Sequence, residues 1–195
     1  MESALLLSYA TIGWNGLVGT AALGVAFSSG SLALAGFALN ALLDSTASGV
    51  LVWRFRQERK DPAAAEDFER RALGWIALAM FLVALYVGVQ ATRALAQGSH
   101  PKSSTLGVVL AALSIAVLPW LGRRKLVVAA ELGSPALRGD GVLTLAAAAL
   151  AAITLAALVF NSAFDWWWAD PIAALAIAIG LGVEAVRVTV RHRFG

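Results

Sequence analysis

The sequence predicts an all-α, polytopic membrane protein with six transmembrane helices. Of its 195 residues, 59% are hydrophobic and only 14% are charged, a composition too apolar for a soluble domain. A transmembrane helix needs roughly 20 consecutive, mostly apolar residues, and six stretches meet this requirement. We predict that they form a single transmembrane domain with no soluble domain, with spans at residues 5–27, 31–54, 70–96, 104–122, 136–162 and 169–189.

Polar and turn-forming residues separate the spans. The longest connection, RFRQERKDPAAAEDFERR, runs from Arg54 to Arg71 and is highly charged. Ser134 followed by Pro135 predicts the start of the fifth helix, because serine caps helix N-termini and proline suits the first helical position. The basic triplet at 123–125 either ends the fourth span or extends it into the membrane interface.

The basic residues predict the orientation of the chain. If both termini are cytoplasmic, thirteen of the fifteen lysines and arginines, the triplet 123–125 included, lie inside, and only Arg93 and Lys102 lie outside. This bias follows the positive-inside rule, and it explains the net charge of +3 without any nucleic-acid partner. We therefore expect a multi-pass protein of the cell inner membrane, in contact with the lipid bilayer, with tryptophans 166–168 at the headgroup boundary.

Three polar side chains inside the spans are candidates for function. Asn40 and Asp44 lie four residues apart in the second span, which places them on one helix face about one turn apart. Asp140 is an acid of the fifth span. Intramembrane acids are functional by default because their burial is costly. The structural alternatives are a protonated or hydrogen-bonded Asp44, an interhelical hydrogen bond of Asn40, and an Asp140 stabilised by a helix N-terminus or by Arg138.

Other polar residues have structural explanations. Asp170 is predicted to cap the sixth span ahead of Pro171, and Glu184 to pair with Arg187 three residues further on. The chain has no cysteine and two histidines, so disulfides and thiolate metal sites are excluded and no bound cofactor is expected. We see no nucleophile–base pair and no phosphate-binding loop, so the sequence does not predict an enzyme.

Two segments carry a family resemblance. SLALAGFALNALLD, residues 31–44, and WWWADPIAALAIAIG, residues 166–180, together with six spans and internal termini, resemble the cation diffusion facilitator family. The resemblance covers nearly the whole chain, which is similar to a short branch without the cytoplasmic metal-binding domain, like vesicular zinc transporter-like membrane proteins. It implies a homodimeric transporter that exchanges zinc or a similar divalent cation for protons. It also implies rocking of spans one, two, four and five against spans three and six.

The resemblance implies metal ligands at Asn40 and Asp44 and a second pair on the fifth span, for which two registers are possible. One register makes Asp140 a ligand; the other puts the ligand positions on Leu143 and Ala147. At 1.5 Å per residue, Ala147 is level with Asp44, and Asp140 lies roughly 10 Å nearer the cytoplasm. The second register is therefore preferred. The usual fifth-span ligands are then absent, and Asp140 is expected to be a gateway or relay carboxylate.

Three functional hypotheses follow. The first is a proton-coupled divalent cation efflux transporter with a reduced metal site at Asn40 and Asp44, completed by water or by Asn15 and Gln90. The second is a non-transporting scaffold or accessory subunit of a larger membrane complex, which the missing fifth-span ligands favour. The third is a carrier for a small organic cation, with Asp44 as its counter-ion.

Overall fold

A computed structural model describes residues 2–57, 62–102 and 104–194, which form six α-helices. The helices are α1 Glu2–Ser29, α2 Leu32–Gln57, α3 Pro62–Gln97, α4 Thr105–Leu132, α5 Pro135–Phe164 and α6 Ala169–Phe194. Each of the six is long and apolar enough to cross a membrane. Each covers one predicted span, apart from the first residue of the second and fourth spans. The predicted all-α class with six transmembrane helices is therefore confirmed. Arg59 and Lys60 of the charged connection lie outside the described residues.

The helices are arranged as a four-helix bundle and a helix pair. In the bundle, α1 packs on α2, α2 on α5, α5 on α4, and α4 on α1, which closes a ring. Helices α3 and α6 pack on each other; both contact α2, and α6 also contacts α5. This is the grouping of helices that the resemblance implied. Because successive spanning helices alternate in direction, both chain termini lie at one end of the molecule, which we call the terminal end.

The outer surface of the helices is apolar. Large side chains that are more than two-thirds exposed include Leu6, Leu17, Phe27, Trp75 and Ile179. Extended apolar surface of this kind is rare on a soluble monomer, and it suits contact with lipid. The six helices therefore belong to a multi-pass membrane protein.

The ends of α4 and α5 follow local sequence signals. The Ser134 hydroxyl accepts a hydrogen bond from the backbone N–H of Leu137 at 3.3 Å, and Pro135 begins α5, so the predicted helix start is confirmed. Gly133 adopts a left-handed conformation with a φ of 61° and ends α4. The basic triplet 123–125 therefore lies inside α4, which continues beyond it to Leu132.

Asp170 caps α2 rather than its own helix, so the prediction that it caps the sixth span was wrong. Its carboxylate accepts hydrogen bonds from the backbone N–H groups of Leu32 at 2.8 Å and Ala33 at 3.4 Å. It also accepts one from the hydroxyl of Ser31. The first N–H groups of a helix have no partner within the helix. A side chain of α6 thus supplies the missing acceptors and joins the helix pair to the bundle, at the end opposite the termini.

Two glycines allow α4 and α5 to approach closely. A Cβ atom added to Gly122 would lie 2.7 Å from Cγ of Leu145, and one added to Gly141 would lie 3.1 Å from Cβ of Lys125. Small residues are common where membrane helices pack closely, because they let the backbones approach. The close contact brings Lys125 of α4 next to Asp140 of α5.

We expect Gly122→Leu to destabilise the protein by about 1–3 kcal/mol, because the added side chain must push α4 away from α5. The readout is the midpoint of thermal unfolding of the purified protein in detergent. Gly24→Leu is the matched control, since a Cβ at Gly24 meets nothing within 4 Å. An equal loss in both variants would show that the α4–α5 contact is not the cause.

We expect Asp170→Ala to loosen the start of α2, because its backbone N–H groups lose their acceptor, at a cost of about 1–2 kcal/mol. Amide hydrogen exchange at residues 32–34 should become faster. Asp170→Asn keeps one acceptor oxygen and should show a smaller change. If exchange at the start of α2 were unaffected in the alanine variant, the capping role would be refuted.

Candidate functional site

Asp44 lies in the middle of α2 and is only 7% exposed. Its Oδ2 accepts a hydrogen bond from Nδ2 of Asn15 on α1 at 2.6 Å. Its Oδ1 is buried and has no hydrogen-bond partner in the described part of the chain. Buried polar atoms usually have partners. One oxygen of this carboxylate is therefore left for a ligand or a proton.

The contact between Asn15 and Asp44 depends on how closely α1 and α2 pack. One turn beyond Asn15, a Cβ added to Gly19 would lie 3.0 Å from Cγ of Leu42 and 3.1 Å from the carbonyl oxygen of Ala38. The missing side chain at Gly19 thus lets the two helices approach. Asn15 was one of two side chains expected to complete the site, and it does contact Asp44.

Gln90, the other expected contributor, lies elsewhere. Its amide nitrogen is 3.5 Å from the Tyr86 hydroxyl on its own helix, and its amide oxygen accepts a hydrogen bond from Arg93 at 3.4 Å. It is not among the residues that line the cavity beside Asp44. The expectation that Gln90 completes the site was wrong.

Asn40 and Asp44 line a cavity of about 250 Å³ that lies between the four-helix bundle and the helix pair. The cavity walls come from α2, α3, α5 and α6, and they are largely aliphatic. The larger wall side chains are Leu43, Ile76, Met80, Leu143, Leu150 and Leu181. Asp44 is therefore not enclosed in a dry helix contact but has free volume next to it.

Glu184 and Arg187 also line this cavity. They form an ion pair at 2.7 Å, which confirms the predicted pairing along α6. The Arg187 side chain is 58% exposed, so the cavity extends from the middle of α2 to the molecular surface. Both residues lie in the second half of α6, the half nearer the terminal end.

Two contacts between α2 and α5 define how these antiparallel helices are aligned. Ser48 donates a hydrogen bond to Oδ1 of Asp140 at 2.8 Å, and the hydroxyl of Thr154 is 3.5 Å from the carbonyl oxygen of Ala33. Interpolating between them puts Asp44 level with residues 143–144 and Asn40 level with residues 147–148. Both contacts agree on this alignment.

The preferred fifth-span positions are therefore at the depth of the second-span pair. Leu143 shares the cavity with Asp44, whereas Ala147 is buried against Leu118. Neither side chain can coordinate an ion. The expectation that Ala147 is level with Asp44 was wrong by about one turn, since Asp44 is level with residues 143–144. Asp140 correspondingly lies one turn from the level of Asp44, or about 6 Å along the helix axis, and not roughly 10 Å away.

Lys125 is a buried charged residue whose environment the sequence did not predict. The prediction that grouped it with the surface topology charges was wrong, since its side chain is fully buried. Its Nζ lies 2.6 Å from Oδ2 of Asp140, 3.0 Å from the hydroxyl of Thr144 and 3.4 Å from that of Ser48. The contacts with Thr144 and Ser48 are hydrogen bonds donated by the ammonium, and the contact with Asp140 is an ion pair. We call Ser48, Lys125, Asp140 and Thr144 the ion-pair cluster.

Asp140 is thus held in the ion-pair cluster and does not line the cavity beside Asp44. Its partner is Lys125 and not the exposed Arg138 considered from sequence. Within residues 2–57, 62–102 and 104–194, no three histidine or acidic side chains are grouped so that they could hold a metal ion. The arrangement can bind positive charge at Asp44, with Asn40 one turn away as a neutral oxygen donor.

Comparison with known proteins identifies the family. Residues 8–192 match the family model of the cation efflux transmembrane domain, which is nearly the whole chain. No curated protein was found to match the sequence. The six helices and the intramembrane carboxylate on α2 agree with the family match. The chain therefore belongs to the cation efflux, or cation diffusion facilitator, family of cation transporters.

Proposed function

We propose that the protein is a proton-coupled cation efflux transporter of the cell inner membrane in which Asp44 binds the transported ion. The observation that carries this proposal is the unpartnered Oδ1 of Asp44, on a residue that lines a cavity reaching the surface. A carboxylate inside a bilayer needs a positive partner, either a cation or a proton. Because the two compete for the same oxygen, binding of one releases the other, which couples their movements.

A divalent, zinc-like ion is the cargo that family membership suggests. Its support here is a pair of oxygen donors, the carboxylate of Asp44 and the carboxamide of Asn40, with room in the cavity for water ligands. Asp140 could contribute a second carboxylate only after Lys125 leaves it. The metal site is therefore a reduced one, with Leu143 at a depth where the family resemblance implies a ligand.

A small organic cation is the second candidate cargo. The specific observation in its favour is the aliphatic lining of the cavity, which suits hydrocarbon substituents better than a hydrated metal ion. Asp44 would then act as a counter-ion rather than as a metal ligand.

The proposed transport cycle uses the boundary between the four-helix bundle and the helix pair. The cavity lies on this boundary, with α2 and α5 on one side and α3 and α6 on the other. Rocking of one unit against the other would expose Asp44 to each side of the membrane in turn. We propose cytoplasmic termini, so that the terminal end faces the cytoplasm, and a homodimer, as the family resemblance implies.

We expect Asp44→Asn and Asp44→Ala to reduce cation uptake into everted vesicles at least tenfold, because both remove the negative charge that Asp44 offers to the ion. The readout is uptake of Zn²⁺, Mn²⁺ or an organic ammonium by vesicles that contain the protein. Asp165→Asn is the matched control, since this exposed acid lies in the α5–α6 connection. Uptake in wild type and both Asp44 variants that equals that of vesicles without the protein, together with a stoichiometric membrane partner on purification, would favour the accessory-subunit hypothesis instead.

We expect cation entry into everted vesicles to be accompanied by proton exit. A fluorescent pH indicator in the lumen should report a rise in pH when the cation is added to the wild type. The rise should be absent in Asp44→Asn, because the proton and the cation share that carboxylate. Transport that proceeds at full rate without any change in lumenal pH would rule out proton coupling but would leave cation transport itself intact.

A further inference from the structure

We infer that Lys125 is a tethered cation that fixes the charge of the cargo at one, so that the transported ion is a small organic ammonium and not a divalent metal. The inference rests on the proposed function, since it requires that Asp44 binds the cargo. It assigns a role in ion selectivity to a residue outside the cavity.

The first step is that Lys125 neutralises Asp140. The two side chains are in contact at 2.6 Å and are 0% and 6% exposed. Thr144 and Ser48 accept hydrogen bonds from the same ammonium, and Ser48 donates one to Oδ1 of Asp140. Oδ2 of Asp140 has no hydrogen-bond partner in the described part of the chain, and its contact with the ammonium is an ion pair. A buried ion pair is hard to open, because removal of either partner leaves an uncompensated charge. Asp140 is therefore not available to a mobile ion while Lys125 is in place.

The second step is the charge that remains. Asp44 and Asp140 contribute two negative charges and Lys125 contributes one positive charge. The three side chains together therefore have one excess negative charge. A singly charged cation at Asp44 makes the core neutral. A divalent ion would leave one excess positive charge at the middle of α2, and isolated charge in such surroundings is strongly unfavourable. The Glu184–Arg187 pair at the rim is itself neutral and does not alter this sum.

The third step is the shape and chemistry of the cavity. Its volume of about 250 Å³ is far larger than one bare ion, and most of its walls are aliphatic. Hydrocarbon groups gain from contact with such walls, whereas the water shell of a metal ion does not. Asn40 and Asp44 provide oxygen acceptors for the N–H groups of an ammonium. Sodium or potassium has the right charge, but the aliphatic walls do not supply the shell of oxygen ligands it would need.

The charges can be altered one at a time to test the inference. Lys125→Met removes the tethered cation and leaves two unpaired carboxylates, so the site should then prefer a divalent ion. Lys125→Met combined with Asp140→Asn restores the wild-type sum, so the preference for a singly charged cation should return. Lys125→Arg keeps the charge and should keep the preference.

The experiment measures affinity by isothermal titration calorimetry on the purified full chain in detergent, with diethylammonium, Na⁺, Mn²⁺ and Zn²⁺ as probes. We expect the wild type to bind diethylammonium at least tenfold more tightly than the other three. The Lys125→Met variant should reverse the order of diethylammonium and Mn²⁺, and the double variant should restore it. A merely structural role for Lys125 would weaken all probes together and would not exchange their order.

Several results would overturn the inference. One is a wild type that binds Zn²⁺, Mn²⁺ or Na⁺ more tightly than diethylammonium, or that does not bind diethylammonium at all. Another is a double variant that still prefers the divalent ion. If Lys125→Met does not fold, the double variant and Lys125→Arg decide the question, because neither adds an unpaired charge to the ion-pair cluster. Asp44→Asn tests the proposed function separately from the role of Lys125. This variant should not bind any of the probes, and undiminished binding would refute the proposed function itself.

Discussion

Charge is costly inside a bilayer, and this cost determines which polar side chains of the six helices have partners. Asp140 is paired with Lys125, and Asp170 is surrounded by the free N–H groups at the start of α2. Asp44 differs from these two acids, because Asn15 binds one of its oxygens and the other is left unpartnered. Asp140 and Asp170 therefore connect helices, whereas Asp44 is the acid that we propose binds the transported cation.

The positions of these groups depend on glycines, where the absence of a side chain lets neighbouring helices pack closely. Gly122 and Gly141 bring α4 and α5 together next to the ion-pair cluster, and Gly19 brings α1 and α2 together one turn from Asn15. Membrane helices gain little from burying apolar surface against each other, so close packing and polar contacts contribute much of their association. In this protein the two contributions occur side by side, and the same glycines that permit packing also set the short polar distances.

The sequence predicts the fold well because hydropathy, helix length and the location of basic residues are all local properties. The sequence also predicts that Asn15 lies near Asp44, because polar side chains are conspicuous in an apolar span, and the two side chains are hydrogen-bonded. Lys125 was missed because it follows two arginines, which are exposed and give the whole triplet the pattern of a topology signal. Lys125 faces inward because α4 continues through the triplet, and successive residues of a helix point in different directions around its axis. Asp170 was assigned to the wrong helix for a similar reason: its partners are distant in sequence.

The hydrogen bonds between Asp170 and the start of α2 hold the helix pair against the bundle. They close the bundle against the helix pair at the end away from the termini, while the cavity beside Asp44 reaches the surface near Arg187. The Asp170 contacts and the opening of the cavity near Arg187 therefore lie toward opposite ends of the molecule. Separation of the helix pair from the bundle at this end would free the N–H groups of Leu32 and Ala33. Because they are the first N–H groups of α2, water can satisfy them if this end reaches the membrane surface. Backbone N–H groups freed deeper in the hydrocarbon would have no water to bind.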